Sequence, residues 1–590
     1  MSFTKTLNKI WYLFTSEQRI SAIILFFLLF IGMLLETLGI GLVIPAFTLI
    51  TQSNLAEKYP IVLPLLKILG NPSYERLVVI GMLTFVGVYV IKTLYLAFLA
   101  WRQAKFTFDI RANLSERLFS GYLLQPYTFH LQRNSAQLIR NTIGHTASLT
   151  AVIQQCLLLL MEVLVLFGVS TMLFMVEPLG AILVLGVMGF TAWAFNNVTR
   201  KHILKWGEES QFHEGLRIQH LQQGLGGAKD VKLLGRERNF IDRYNFHNIG
   251  SAKANQRQSI LVALPRPMLE LFAVMGLALL VTVMISQGRP IESLIPITGL
   301  FAAAAFRLLP SVNRVISAVQ TLRFSLPVIN TLYDEISLLG NTKQITNNGV
   351  FVLKDKLTLE QVRYNYPSTK SSALSEINLT INQGKSFGFI GDSGAGKSTL
   401  VDIILGLLTP ISGAVKVDGV DIQENVRGWQ DQIGYVPQTI YLTDDTLRQN
   451  IAFGLPSDQI DDTVVWRTIR DAQLENFVNS LPNGINTMVG ERGIRLSGGQ
   501  RQRIGIARSL YHDPSVLVLD EATSSLDMDT ERSVMEAVRD LRGKKTILIV
   551  AHRLSTVEDC DYLYRLQQGK IISEGSVENM LYEPKSIKEH

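Results

Sequence analysis

Phe387-Gly388-Phe389-Ile390-Gly391-Asp392-Ser393-Gly394-Ala395-Gly396-Lys397-Ser398-Thr399-Leu400 decides the reading of this chain. A short apolar strand leads into Gly391–Thr399, which fits G-x-x-x-x-G-K-[ST], and an apolar-periodic helix follows. The glycines let successive backbone N–H groups turn toward one anion, and the helix start adds partial positive charge. Lys397 can reach β- and γ-phosphates, and the Ser398 hydroxyl can ligate Mg²⁺. Downstream of that loop, Val516-Leu517-Val518-Leu519-Asp520 reads as a buried strand ending in an acid, with Glu521 next. Asp520 is suited to hold Mg²⁺, directly or through water, and Glu521 to polarise the water that attacks the γ-phosphate. Around these sites short β-branched strands alternate with helices through Phe387–Ile390, Leu400–Leu405, Ser515–Leu519, Ser533–Leu541 and Thr546–Val550. That alternation predicts an α/β domain with a largely parallel sheet.

Upstream the texture is different. The 590 residues are 18% charged and 47% hydrophobic, with a mean hydropathy of +0.22. An average soluble domain is about 25% charged. This balance excludes disorder and argues against a wholly soluble enzyme. Two cysteines, Cys156 and Cys560, exclude a disulfide scaffold and a thiolate metal cluster. The apolar residues concentrate in six stretches, Ile20–Leu42, Leu77–Ala100, Ala151–Val176, Leu179–Val198, Ile260–Ile285 and Ile291–Leu309. Each is near or above the roughly 20 residues that a helix needs to cross about 30 Å of hydrocarbon. The first starts too far in and is too long for a signal peptide.

The net charge of +6 and pI of about 9.0 suit either a nucleic-acid partner or a membrane protein with basic cytoplasmic loops. Position decides. Arg102, Lys105, Arg111, Arg117, Arg133 and Arg140 lie between spans two and three, and a longer basic series from Arg200 to Arg257 lies between spans four and five. The positive-inside rule puts both long loops and both termini in the cytoplasm, and no nucleic-acid partner is expected. The loops are rich in helix formers, so the spans should continue as helices, broken at Gln125-Pro126-Tyr127-Thr128 and Gly224-Leu225-Gly226-Gly227. The domain plan is therefore an all-α transmembrane domain of six helices over residues 1–325, a linker over 326–350, and an α/β P-loop NTPase domain over 351–590.

Leu496-Ser497-Gly498-Gly499-Gln500 resembles the signature of ATP-binding-cassette (ABC) proteins. Other pieces stand in order. Tyr366 before Pro367 is similar to the aromatic residue that stacks on adenine, Gln438 to the Q-loop glutamine, and Glu491 to the acidic position before the signature in exporters. Ser524-Ser525-Leu526-Asp527 resembles the D-loop, with Ser525 where Ala is common, and His552 resembles the switch histidine. The resemblance covers the chain from the first span to about Tyr582. It implies an ABC exporter half-transporter that hydrolyses ATP with Mg²⁺. Glu521, His552 and Gln438 would be catalytic. Tyr366, Gly391, Asp392, Ser393, Gly394, Ala395, Gly396, Lys397, Ser398, Thr399, Gln438, Ser497, Gly498, Gly499, Gln500 and Asp520 would hold the nucleotide, with Ser398, Gln438 and Asp520 at the metal. In that family the signature faces the phosphate loop of a second cassette, which implies a homodimer or a heterodimer with another half-transporter. The hairpin tips near Tyr127–His130 and Gln222–Val231 resemble exporter coupling helices.

The cargo is less constrained. Lys92, Arg266 and Arg307 fall at comparable depths in three spans, roughly 22–30 Å from the outer ends at 1.5 Å per residue. They form either a basic cavity for a phosphate or pyrophosphate head group, or pairs with Glu36, Glu162 or Glu270, or they snorkel to the inner headgroups. Tyr59–Leu69 reads as a short external helix or as an ordinary loop. These features and Leu34–Gly41 before Ile44-Pro45 resemble the bacterial flippases for lipid-linked oligosaccharides. The resemblance implies outward flipping of a polyprenyl pyrophosphate glycan across the inner membrane. Alternatives are export of lipid A, a peptide or hydrophobic drugs, and, from another class, an ATP-gated channel or sensor.

Overall fold

A computed structural model describes residues 3–42, 73–176, 178–286, 291–340, 351–367, 369, 371–523, 528–551 and 553–581. Its helices up to residue 340 are α1 (Phe3–Leu13), α2 (Ser16–Gly41), α3 (Tyr74–Leu123), α4 (Tyr127–Gln132), α5 (Ser135–Ile139), α6 (Thr146–Val176), α7 (Pro178–Gly226), α8 (Ala228–Leu233), α9 (Glu237–Ala263), α10 (Pro265–Ser286), α11 (Ile291–Phe324) and α12 (Leu326–Leu339). A π-helical turn, Arg140–His145, joins α5 to α6. The chain divides into two compact units, residues 1–125 with 132–342, and residues 126–131 with 343–590. Helix α12 therefore belongs to the first unit, and the division falls after residue 342 where the sequence suggested a linker beginning at 326.

Five of the predicted apolar stretches lie on the long helices α2, α3, α6, α7 and α11, and Ile260–Ile285 runs from the end of α9 through Leu264 into α10. Among the described residues, Ser16–Gly39, Tyr74–Leu123, Ser135–Met175 and Glu237–Ser286 are long and apolar enough to cross a membrane. Their outward faces carry large exposed apolar side chains such as Phe27, Leu83, Ile91 and Phe167. In water such a surface would be unstable; against lipid tails it costs nothing. The helices continue past membrane length, α3 to Leu123 and α7 to Gly226. The stretch Tyr59–Leu69 lies outside the described residues.

Small residues and polar ties set the helix packing. Tyr89 and Tyr95 of α3 donate their hydroxyls to the carbonyls of Gly39 and Leu28 on α2, at 3.1 and 2.7 Å. Met33, Val165, Val169, Leu173 and Met188 bury one another between α2, α6 and α7. Closer to α12, the buried Glu335 carboxylate accepts from Tyr122 at 3.1 Å and from Arg133 at 2.6 Å.

The second unit is built on two sheets. Strands β1 (Lys356–Tyr364), β2 (Leu374–Asn382), β4 (Ser412–Val417) and β5 (Val420–Asp421) form an antiparallel sheet in the order β2-β1-β4-β5. Strands β3 (Ser386–Ile390), β6 (Ile433–Val436), β7 (Val516–Asp520), β8 (Thr546–Val550), β9 (Tyr562–Gln567) and β10 (Lys570–Gly575) form the other, in the order β10-β9-β3-β8-β7-β6. All its pairings are parallel except β9 with β10. Strands β3 and β8 are buried along their whole length, as expected for a parallel sheet covered on both faces. Helix α13 (Lys397–Ile404) follows β3, α14 (Val426–Gln430) follows β5, α15 (Gly498–Leu510) precedes β7 and α16 (Met528–Arg539) precedes β8. A core of Leu357, Phe389, Leu400, Ile404 and Trp429 joins the two sheets.

Trp429 has no exposed surface and donates its indole N–H to the Ile404 carbonyl at 2.7 Å, fixing the end of α13. Trp429→Ala should cost about 3–5 kcal/mol. In the full-length protein this should lower the temperature of half-inactivation of ATP hydrolysis, with Trp429→Phe intermediate.

Candidate nucleotide site

The site assembles at the carboxyl ends of β3 and β7, which flank β8. That crevice is where parallel α/β sheets place ligands. Gly391–Gly396 turns between β3 and α13 with Gly394 at φ 79° and Gly396 at φ 102°. A side chain at Gly396 would also approach the Ala373 carbonyl within 2.9 Å, so both backbone angle and space demand glycine. Lys397 is 5% exposed, and its ammonium donates to the carbonyls of Gly391 at 2.8 Å and Asp392 at 3.0 Å. Burial pulls its pKa down, while Glu521, Asp392 and Asp520 push it back up. A cavity of about 480 Å³ opens over the loop, lined by Tyr366, Gly394, Lys397, Ser398, Glu521 and Gly569 among others. The Tyr366 hydroxyl lies 3.1 Å from that of Thr399, which places its ring beside the phosphate loop, on the cavity wall.

Asp520 ends β7, and Glu521 turns out of the sheet at φ 49°, a left-handed angle that a residue with a side chain adopts only under constraint. The constraint is visible: the Glu521 N–H donates to the Val550 carbonyl at 3.0 Å. Gln438 donates its side-chain amide to Glu521 Oε2 at 2.7 Å. Gln438 is itself held from behind, where Gln502 of α15 donates to its carbonyl at 3.0 Å. Asp520 Oδ2 accepts a long bond from the Tyr435 hydroxyl at 3.4 Å, and Oδ1 is buried with no partner among the described residues. Burial, then the neighbouring Glu521, raises the Asp520 pKa. Asp402, two turns into α13, is pushed up to about 6 by burial and by Asp520.

These groups suit Mg²⁺. Ser398, Gln438 and Asp520 offer hard oxygen donors, and the orphaned Asp520 Oδ1 is a buried acceptor that a cation would satisfy.

The signature sits elsewhere. Ser497 caps α15, accepting from the Gln500 N–H at 3.2 Å while Gln500 Oε1 accepts from the Ser497 N–H at 2.8 Å. A tight loop precedes it, with Gly490, Arg492 and Gly493 at positive φ. None of Ser497, Gly498, Gly499 and Gln500 is among the residues lining the cavity of their own chain, and Ser497 is exposed. His552 and the Ser524–Asp527 stretch lie outside the described residues.

The three suggested cargo cations divide differently. Lys92 pairs with Glu36 at 3.0 Å, and Arg266 with Glu270 on its own helix at 3.0 Å. Both therefore have a carboxylate partner of the kind that the ion-pair reading named. The Arg307 side chain lies outside the described part. A further pair, Arg314 with the buried Glu162 at 2.5 Å, joins α11 to α6. Sequence reading named Glu162 as a partner but missed Arg314, which stands just beyond the apolar run. It also missed Asp402, Tyr435 and Gln502, whose roles arise from spatial neighbours; only Gln502 carried a hint, in the polar run that continues from the signature.

A parallel-sheet P-loop ATPase joined to a set of membrane-length helices is a nucleotide-driven membrane machine. The family model described as ABC transporter transmembrane region matches residues 22–306, and that described as ABC transporter matches 374–524. The chain belongs to the ABC transporter family. It is 29% identical over 480 residues to an ATP-dependent lipid A-core flippase of Nitrosococcus oceani, covering 80% of this chain and 78% of that one. It is 29% identical over 510 residues to the protein of that name from Alkalilimnicola ehrlichii, covering 85% and 84%. A solved bacterial Atm1-family ABC exporter with ATP bound shares the fold, with a TM-score of 0.75 at 22% identity over 96% of both chains.

The raised Asp402 gives a pH test. Its folded pKa lies above the unfolded value, so it penalises the folded state increasingly between about pH 4 and 6 and by a constant amount above. Asp402→Asn should raise the unfolding midpoint of the nucleotide-free protein more at pH 7 than at pH 4.5, as read by differential scanning fluorimetry.

Proposed function

We propose that two copies of this chain clasp two ATP molecules, and that hydrolysis drives outward flipping of an amphipathic, phosphate-bearing glycolipid. The observation that carries this reading is the convergence of Lys397, Ser398 and Glu521 on one cavity in a chain whose other unit holds membrane-length helices.

Tyr366 offers the ring face for adenine, and Gly391–Thr399 cradle the phosphates with Lys397 on the β- and γ-groups. Ser398, Asp520 and Gln438 would hold Mg²⁺, which supplies charge neutralisation at the phosphate oxygens. Glu521 accepts the proton of the attacking water; the bond between the γ-phosphorus and the β–γ bridging oxygen breaks, leaving ADP and phosphate. Gln438 orients Glu521 through their 2.7 Å hydrogen bond. His552 takes the switch position by its resemblance. The outward-facing capped signature supports a partner copy supplying Ser497, Gly498, Gly499 and Gln500 to the far side of the nucleotide.

ATP binding joins the cassettes and hydrolysis releases them, which does work only if the spans have two arrangements of different nucleotide affinity. Residues 126–131 group with the ATPase unit, which supports Tyr127–His130 as one coupling segment; Gln222–Val231 is the other. The basic loops support placing the ATPase and both termini in the cytoplasm of a cell's inner membrane.

For cargo, the lipid A-core flippases among the relatives support a lipid A-type glycolipid over a polyprenyl pyrophosphate glycan. The pairing of Lys92 and Arg266 removes much of the basis for the second.

ATPase assays in nanodiscs test both parts. Glu521→Gln should keep ATP binding and lose about 10²–10⁴ in turnover; near-normal turnover would remove the base assignment. A lipid A glycolipid should stimulate the wild type more than a polyprenyl pyrophosphate glycan does. Stimulation by uncharged drugs alone, or full activity from a stable monomer, would defeat the proposal.

A further inference from the structure

The helical unit contains a second polar cavity, of about 380 Å³, between α5, the π-helical turn, α7 and α12. Its lining includes Gln137, Arg140, His145, Gln211, Gly215 and Thr331. Arg140 is the one charged side chain on that lining among the described residues, and no carboxylate lines it. One guanidinium nitrogen, Nη1, donates to the Gln211 carbonyl at 3.2 Å; Nε is buried with no partner. The nearest acid in sequence on α7, Glu214, is engaged by Arg217 at 2.6 Å and by the Ser251 hydroxyl at 3.3 Å. Arg140 thus carries a half-buried charge that no acid meets within ion-pair distance among the described residues, with Glu214 acting on it only from farther away.

The seat for that charge is built. A side chain at Gly215 would collide with Arg140 Nη1, so the guanidinium lies directly on the glycine. His145 is 3% exposed, its Nε2 bonds to the Gln211 side chain at 2.7 Å, and its Nδ1 has no partner. Widened π-helical turns of this kind frequently occur where a helix serves a ligand. Burying a charge that lacks a directly bonded counter-ion is expensive, and a planar guanidinium is the side chain that best recognises an oxyanion.

We propose that this cavity binds a small molecule or head group bearing a phosphate ester or carboxylate, held by Arg140. Position indicates the source. Gln211 lies about 50 Å along α7 from Pro178, and Arg140 about 54 Å along the helix from Val176, at 1.5 Å per residue. A bilayer with its headgroups spans about 40–45 Å. The cavity therefore lies on the aqueous side of the inner headgroups, and a water-soluble anion is the expected occupant.

The test uses full-length protein in neutral detergent with ADP saturating the P-loop. Glycerol 3-phosphate or succinate should raise the unfolding midpoint of the wild type, and Arg140→Gln should weaken that response roughly tenfold or more in ligand concentration. Lys397→Ala should retain it, because the probe is not at the nucleotide site. Arg140→Lys, which keeps the charge but not the fork, should retain part of it and guards against a folding defect in Arg140→Gln. A second arm compares nanodiscs of phosphatidylglycerol with phosphatidylcholine. An Arg140-dependent shift there, with none from the soluble probes, supports the same anion chemistry from a lipid head group. No Arg140-dependent shift in either arm, or a shift lost in Lys397→Ala and kept in Arg140→Gln, overturns the proposal.

Discussion

Three carboxylates, Asp392, Asp520 and Glu521, act on one buried ammonium, Lys397, at the ends of parallel strands. Burial first, and then a neighbouring carboxylate, raises the pKa of Asp520 and of nearby Asp402. Lys397 answers only part of this charge, and its ammonium is spent on the carbonyls of Gly391 and Asp392. The rest of the ATPase unit is arranged around that imbalance. The β7–β8 register fixes Asp520 opposite Val550, the left-handed turn at Glu521 swings its carboxylate toward Gln438, and Gln502 on α15 holds Gln438 from behind. A divalent cation held there would bring the positive charge that such a cluster favours.

This chemistry was legible in the sequence where it depends on local backbone. The Gly391–Thr399 loop works through dihedral freedom and a helix start, both written in consecutive residues. The acid pair after Val516–Leu519 was legible for the same reason. The antiparallel sheet of β1, β2, β4 and β5 was not, because its pairing joins Lys356–Tyr364 to partners on either side of the phosphate loop. Asp402 and Gln502 matter through what lies beside them in space, and neither has a motif of its own.

In the helical unit the apolar runs announced themselves by length alone. Pairing of their charges did not. Lys92 and Glu36 lie on helices separated by a long intervening segment, and their 3.0 Å contact depends on how α2 meets α3. An isolated ion among hydrocarbon is costly, and a partner on the facing helix resolves the cost. Composition cannot tell that outcome from a binding site, since both need a cation at mid-depth.

The α2–α3 contact has a mechanical meaning. Two tyrosine hydroxyls of α3 reach main-chain carbonyls of α2 about three helical turns apart, at Gly39 and Leu28, and the Glu36–Lys92 pair lies on the same seam. Sliding either helix by one turn would break all three ties together. These three ties resist sliding of one helix past the other along this seam. Paired labels across this seam would serve as a fixed internal ruler against which motion elsewhere can be measured.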